Sequence, residues 1–280
     1  MTTQPLGARR TGELLARHGI RPKRSLGQNF VIDPNTIRKV VSVASLAPGD
    51  RVLEIGPGIG TLTLGLAEAA AHVVALEVDD RLLPALAEAI AGVANVEVVH
   101  GDALALDLSV WDATHLVANL PYNIAVPIVM RVLEHVPGIA ELTVMTQAEV
   151  GERLAAAPGS KSYGQVSVMV GYHAHASVAA RVSRRAFFPV PNVDSVLVRI
   201  VRDDPPDVAR PAMAAVVRAA FGHRRKTLRN NLAGVFGSTE AAAAALATAG
   251  LDPRARAEQV PLEGFVRLAR AVREPGPARP

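Results

Sequence analysis

The stretch Arg51-Val-Leu-Glu-Ile-Gly-Pro-Gly-Ile-Gly-Thr-Leu-Thr-Leu64 constrains the fold more than any other part of the chain. Val52, Leu53 and Ile55 form a short apolar run of strand type. Gly56, Gly58 and Gly60 break it at alternate positions, and Thr61 to Ala71 reads as a helix. Strand, glycine turn and helix in this order open a βα unit. Glycines suit such a turn because a ligand can approach a backbone without β-carbons, and because the turn needs dihedrals that other residues resist.

The spacing discriminates between nucleotides. A dinucleotide fingerprint requires G-x-G-x-x-G, whereas Thr61 leaves G-x-G-x-G. About twenty residues beyond the loop, the strand His72 to Leu76 ends in Glu77, a carboxylate suited to both hydroxyls of an unphosphorylated ribose. Glu54 stands before the loop as a second acid. Two carboxylates beside a glycine loop suit a cationic ligand better than a polyanionic one. S-adenosylmethionine, a sulfonium with a free amino group, fits, with Glu54, Gly56, Gly58, Gly60 and Glu77 as its candidate contacts.

The 280 residues suit one large or two modest domains, and the apolar fraction of 49% is that of a globular chain. With no cysteine, disulfides and thiolate metal sites are excluded, and a reducing cytosol is compatible. No signal core and no long uncharged apolar run is found, so a soluble, untargeted protein is expected. Net charge is +4, which directs attention to where the basic residues lie.

Residues 1 to 25 carry Arg9, Arg10, Arg17, Arg21, Lys23 and Arg24 against a lone Glu13. They read as a basic N-terminal arm that either touches phosphates or stays a solvated tail. Gln28 and Asn29 follow in an apolar frame and, taken alone, read as a capped turn before a helix initiated by Pro34. Strand 72–77, helix 79–92 and strand 95–100, the last followed by Gly101-Asp102, predict a parallel sheet with helices on both faces and ligands at the carboxyl ends of the strands. Asp102 falls at such an end, where it accepts from an adenine amine or caps a turn.

A fourth strand, 114–118, runs into Asn119-Leu-Pro-Tyr122 and a helix over 124–135. The exocyclic nitrogen of adenine is a poor nucleophile because its lone pair is delocalised into the ring. The Asn119 side-chain carbonyl, with a main-chain carbonyl such as that of Leu120, can accept its two N–H bonds and favour the pyramidal geometry. Pro121 shapes the backbone, and the Tyr122 ring can stack on the base. An ordinary proline turn with a core tyrosine is the alternative; the position one strand after Asp102 favours the site.

Further on, strand 141–146 and helix 147–156 precede an apolar strand expected over 166–172. His173 and His175 have no third ligand nearby and read as structural. Arg181, Arg184 and Arg185 lead into Phe187-Phe-Pro-Val-Pro191, an extended loop pinned by its prolines. Either one exposed phenylalanine meets an extruded base while the other anchors the loop, or both are buried. After a strand over 195–201 and the linker Asp203-Asp-Pro-Pro206, helices are expected at 208–220, 223–235, 239–249 and 261–273. On the second, Arg225 and Arg229 stand one turn apart, and with Arg224 and Lys226 they offer a phosphate-binding face.

Glu54-Ile-Gly-Pro-Gly-Ile-Gly60, Glu77, Gly101-Asp102, Asn119-Leu-Pro-Tyr122, Phe187-Phe-Pro-Val-Pro-Asn-Val-Asp-Ser195 and Phe221-Gly-His-Arg-Arg-Lys-Thr-Leu-Arg-Asn-Asn-Leu232 together resemble the signatures of the KsgA-type small-subunit rRNA adenine dimethyltransferases. Leu26-Gly-Gln-Asn-Phe30 matches as well, and the resemblance spans about residues 21 to 270. It implies an α/β, Rossmann-like S-adenosylmethionine methyltransferase domain over 26–203 and a small all-helical RNA-binding domain over 207–280. It implies transfer of four methyl groups to two adjacent adenosines near the 3′ end of 16S rRNA, coupled to ribosome biogenesis. The implied partner is the pre-ribosomal small subunit, met by a cytoplasmic monomer that uses no metal and no membrane. Implied cofactor contacts fall on Asn29, Val31, Gly56, Glu77, Asp102 and Asn119; the family commonly has Leu at position 31, a departure that a backbone contact survives. The base-facing aromatic of F-x-P-x-P falls on Phe187.

Three other readings remain. One is a large-subunit rRNA adenine methyltransferase, against which the long basic helical C-terminal region argues. Another is a ribosome-assembly factor acting mainly by binding. A nicotinamide dehydrogenase is the third, disfavoured by Thr61 and by Asn119-Leu-Pro-Tyr122.

Overall fold

The computed structural model describes residues 6–23, 27–223 and 225–272. In chain order the elements are α1 (Ala8–Arg17), β1 (Phe30–Val31), α2 (Pro34–Ala44), β2 (Arg51–Ile55), α3 (Thr61–Ala69), β3 (His72–Glu77), α4 (Leu83–Ala89), β4 (Val96–His100), β5 (His115–Asn119), α5 (Tyr122–His135), β6 (Glu141–Gln147) and α6 (Ala148–Leu154). They continue with α7 (Gln165–His173), β7 (Ala174–Val182), β8 (Phe187–Phe188) and β9 (Ser195–Arg202). The helices α8 (Arg210–Ala220), α9 (Leu228–Phe236), α10 (Thr239–Thr248) and α11 (Leu262–Arg270) follow. Among the described residues, those within 1–152 and 176–202 form one compact unit, and those within 153–175 and 203–280 form the second.

The first unit is built on a seven-stranded sheet of order β4-β3-β2-β5-β6-β9-β7. The pairs joining β4, β3, β2, β5 and β6 are parallel, and β9 returns antiparallel to β6. The central strands are near-continuous apolar runs because helices cover both of their faces. Ile37 and Val40 of α2 and Leu62 and Leu66 of α3 pack on Val52, Val73 and Val117. Leu14 and Leu15 of α1 pack with Leu64, Leu82 and Leu86. Helix starts follow local chemistry: the Asp33 carboxylate accepts the backbone N–H groups of Asn35 and Thr36 ahead of Pro34-led α2.

Four sequence expectations are corrected. The described part of the N-terminal arm is not a tail: α1 buries Thr11, Leu14 and Leu15, and Arg17 pairs with Glu88 of the first unit. Its apolar face outweighs its charge. Residues 165–173 form a helix rather than a strand. A short apolar run does not distinguish the two; here nearly every side is covered, with Val168, Met169, Val170 and Tyr172 buried, and the Gly164 N–H donates to Ser167 Oγ at the start. That helix packs against α8 and α11. The Tyr163 and Tyr172 hydroxyls donate to the Val260 and Val208 carbonyls, so 153–175 belongs with the C-terminal helices rather than with the domain expected over 26–203. Fourth, α9 begins at Leu228, after the extended residue Thr227, so Arg225 lies with Lys226 before the helix and is not one helical turn below Arg229. Arg224 lies outside the described residues.

An internal arginine holds α5, the helix that begins at Tyr122. Arg202 donates from its guanidinium to the carbonyls of Val132, Leu133, Val136 and Ile139, at 3.1, 2.8, 3.1 and 3.0 Å. It satisfies acceptors that the end of a helix leaves unpaired.

Candidate active site

The sheet order reverses at β2, which has β3 on one side and β5 on the other. Loops leaving the carboxyl ends of β2, β3, β4 and β5 diverge there, and a crevice forms between them. The cavity holds about 450 Å³. Asn29, Val31, Glu54, Gly56, Gly58, Glu77 and Asp102 line it, as do Asn119, Leu120, Pro121, Tyr122 and Phe187. Gly60 does not: it caps α3, and a β-carbon there would meet Leu86 at 3.0 Å, so it serves helix packing.

At Gly56 the backbone is left-handed, with φ +72°, and a β-carbon would meet no atom within 4 Å. The space a side chain would fill is open to a ligand. Glu77 is buried, and its carboxylate accepts the backbone N–H of Gly58 and that of Asp79, each at 2.9 Å. Each oxygen keeps a lone pair for a ribose hydroxyl, and the two amides fix the carboxylate's orientation. Burial raises the Glu77 pKa above its ordinary value. Of the two duties read from the sequence, Asp102 performs the turn cap. Its Oδ1 accepts the Leu104 N–H at 2.8 Å and caps the turn, while the residue stays exposed at the cavity wall.

Glu54 is 1% exposed, and its Oε2 has no hydrogen-bond partner in the protein. Burial pushes its pKa up to about 8, against the pull of the Thr63 hydroxyl and with repulsion from Glu77 adding to the rise. A buried acid in this state is suited to a cationic guest that draws its proton away. The sign for stability follows from linkage. Folded Glu54 keeps a proton that the unfolded chain releases near 4.5, so its contribution is full below that value and is lost as pH rises toward about 8. Without ligand, the melting temperature should therefore fall between about pH 5 and 8, and Glu54→Gln should flatten that slope in a calorimetric scan. Glu77 shifts in the same direction, so part of the slope remains.

The target side is held by contacts that sequence spacing does not reveal. Asn119 Nδ2–H donates to the main-chain carbonyl of Asn29 at 3.0 Å, which turns its Oδ1 away from that partner. Asn29 Nδ2–H donates in turn to the Gly27 carbonyl at 3.0 Å. Gly27, at φ +63°, lies so close to Pro121 that a β-carbon would come within 2.6 Å of its Cβ. Gln28 donates to Asp79 at 2.7 Å, and Arg81 pairs with the same carboxylate and holds its pKa down at about 2. The segment read as a capped turn is thus a strap from Asp79 to Asn119. Gln28 and Asp79 were missed because a polar pair 51 positions apart leaves no local pattern. Tyr122 is 57% exposed at the cavity. Of the two consecutive phenylalanines, the buried Phe187 lines it, at 2% exposure, while Phe188 is 45% exposed; Phe30 lines it too. Among the described residues no helix is long and apolar enough to cross a membrane, and no group of three or more metal-ligating side chains gathers.

Several known proteins are similar to this chain. Ribosomal RNA small subunit methyltransferase A of Leifsonia xyli subsp. xyli is 49% identical over 272 residues, covering 94% of this chain and 97% of that protein. The protein of the same name from Streptomyces coelicolor is 48% identical over 273 residues, covering 94% and 96%. Among solved structures, the 23S rRNA methyltransferase ErmE superposes with a TM-score of 0.70 at 31% identity over 87% of this chain and 99% of that one. A dimethyladenosine transferase from Plasmodium falciparum shares the fold, with a TM-score of 0.75 at 24% identity over 85% and 95%. The sequence model of the family described as ribosomal RNA adenine dimethylase matches residues 19–274. With this match over nearly its whole length and relatives at 48–49% identity, the chain belongs to the ribosomal RNA adenine dimethylase family.

Proposed function

We propose that this chain uses S-adenosylmethionine to dimethylate the exocyclic amines of two adjacent adenosines near the 3′ end of 16S rRNA, acting in the cytoplasm on the assembling small ribosomal subunit. The observation that carries this reading is Asn119, tethered through Nδ2 to the Asn29 carbonyl so that Oδ1 remains to accept from an amine in the cavity. Small-subunit rather than large-subunit rRNA is favoured by relatives at 48–49% identity that cover 94% of this chain.

The residues fit the cofactor. Glu77 offers acceptors for the ribose, Asp102 a free carboxylate oxygen for the adenine amine, and the open space at Gly56 admits the ligand against the loop. Asn29, Val31 and Asn119 face the remaining length of the cavity, and Glu54 meets positive charge. When bound, S-adenosylmethionine supplies an electrophilic methyl group on a sulfonium. Asn119 Oδ1 and the Leu120 carbonyl accept the N–H bonds of the target amine, which frees its lone pair from the ring. Tyr122 and Phe187 hold the extruded base by its faces. The product proton passes to water, and no strong base is needed because positioning supplies most of the acceleration.

Arg225, Lys226 and Arg229 are grouped around the start of α9, where Arg225, Lys226 and Arg229 supply a phosphate-binding surface in the second unit. Replacing Arg225 and Arg229 by Gln should weaken RNA binding at low salt and reduce the salt slope by about one unit for each phosphate that is no longer neutralised. Cofactor affinity should stay unchanged. A slope equal to that of the wild type would return both residues to the solvated surface. The function itself is tested with labelled methyl donor offered alongside unmodified small subunits, free rRNA and large subunits. Label mapped to two adjacent adenosines of the small subunit is the expected result. Label confined to large subunits would overturn the reading.

A further inference from the structure

We infer that Phe188 and Val190 form an external stacking platform for the base adjacent to the one held in the cavity, a nucleotide of single-stranded RNA. The inference rests on the proposed rRNA substrate and goes beyond it by naming a second base subsite. Successive strand residues face opposite sides. On β8 this turns Phe187 into the cavity wall, 2% exposed, and leaves Phe188 outside at 45%. Phe30, Phe187 and Phe265 are buried and Phe221 and Phe236 half-buried, so among the described residues Phe188 is the one phenylalanine that presents its ring to solvent. Val190, two residues on, is 58% exposed and also lines the cavity, and Val193, three residues further, is 45% exposed. Prolines at 189 and 191 restrict the backbone of this loop, and the Phe188–Pro189 peptide bond is cis rather than extended as the sequence led one to expect.

The charge around the ring suits a nucleic acid. Arg184 and Arg185 are exposed four and three residues before Phe188. The nearby acid, Asp194, is engaged locally: its carboxylate accepts the Arg184 backbone N–H at 2.9 Å. Arg184 leans on the Asn192 carbonyl at 3.3 Å, and Arg185 stands close in the chain to the ring, where it can meet a phosphate. An aromatic face with a neighbouring guanidinium is the arrangement that binds a base and its backbone without reading sequence. An enzyme that modifies two adjacent adenosines must also accommodate one while the other is in the cavity, and Phe188 is contiguous in the chain with Phe187.

The test is steady-state methylation of unmodified small subunits by Phe188→Ala, Phe188→Leu and Phe188→Trp, with donor affinity measured by calorimetry. Loss of one stacked base should raise KM for the subunit roughly 5- to 100-fold in Phe188→Ala. Phe188→Trp should restore it and Phe188→Leu should not, with donor affinity unchanged throughout. An unaltered KM in Phe188→Ala, or a leucine that restores as well as tryptophan, would overturn the platform. Should the alanine variant not fold, the comparison of leucine with tryptophan decides alone. Wild-type protein inactive on small subunits would instead strike the proposed substrate, and the inference with it.

Discussion

Asn119→Ala should cut single-turnover methyl transfer by roughly 10²–10³-fold at saturating S-adenosylmethionine, with RNA binding little changed. The bond from the target amine to Oδ1 strengthens as the nitrogen becomes pyramidal, so its loss acts on rate rather than on affinity. The tether to Asn29 sharpens the expectation, because an amide held through Nδ2 at 3.0 Å cannot turn its oxygen elsewhere. Asn119→Asp keeps an acceptor but sets a carboxylate against the Asn29 carbonyl, and it should fall between wild type and alanine. The second methylation has one N–H left to donate, so the ratio of monomethyl to dimethyl product should shift as well. Near-normal rates with an unshifted ratio would mean that Asn119 only shapes the turn, and that the proposed chemistry is wrong.

Glu77→Ala should weaken cofactor binding by the next largest amount. The substitution strips acceptors from two ribose hydroxyls and also from the Gly58 and Asp79 N–H groups that now donate to the carboxylate. Each donor left unsatisfied in a buried site costs on the order of 1–3 kcal/mol, and part of that takes the form of a looser glycine loop. Calorimetry should therefore show a loss of at least about tenfold in donor affinity at that cost. Methyl transfer at saturating donor should recover most of its rate. Unchanged affinity would remove Glu77 from the site.

Much of the site is legible in the chain itself. Strand, glycine turn and helix at 51–64, an acid at the end of the next strand, Asp102 at the end of the one after it and Asn119-Leu-Pro-Tyr122 beyond that are local patterns. Parallel βα topology brings all such strand ends to one edge. The crevice at the carboxyl ends of β2 to β5 is the consequence. Short apolar runs marked the central strands because each of those is covered on both faces.

Other features depend on partners far away in the chain. Whether 165–173 is strand or helix could not be decided from a short apolar run, and burial against α8 and α11 settles it as helix. The basic composition of residues 1–25 concealed an amphipathic helix whose leucines find Leu82 and Leu86. Sequence spacing left open which of two consecutive phenylalanines lines the cavity; in the folded chain Phe187 is buried in its wall and Phe188 stands exposed outside it. The strap from Asp79 through Gln28 and Asn29 to Asn119 joins residues up to 90 positions apart. What the sequence by itself determined are the elements whose hydrophobic period or turn chemistry is complete within about a dozen residues. The orientation of the working groups was decided only in the tertiary structure, because a hydrogen bond depends on distance and direction in space, and the chain imposes neither between distant residues.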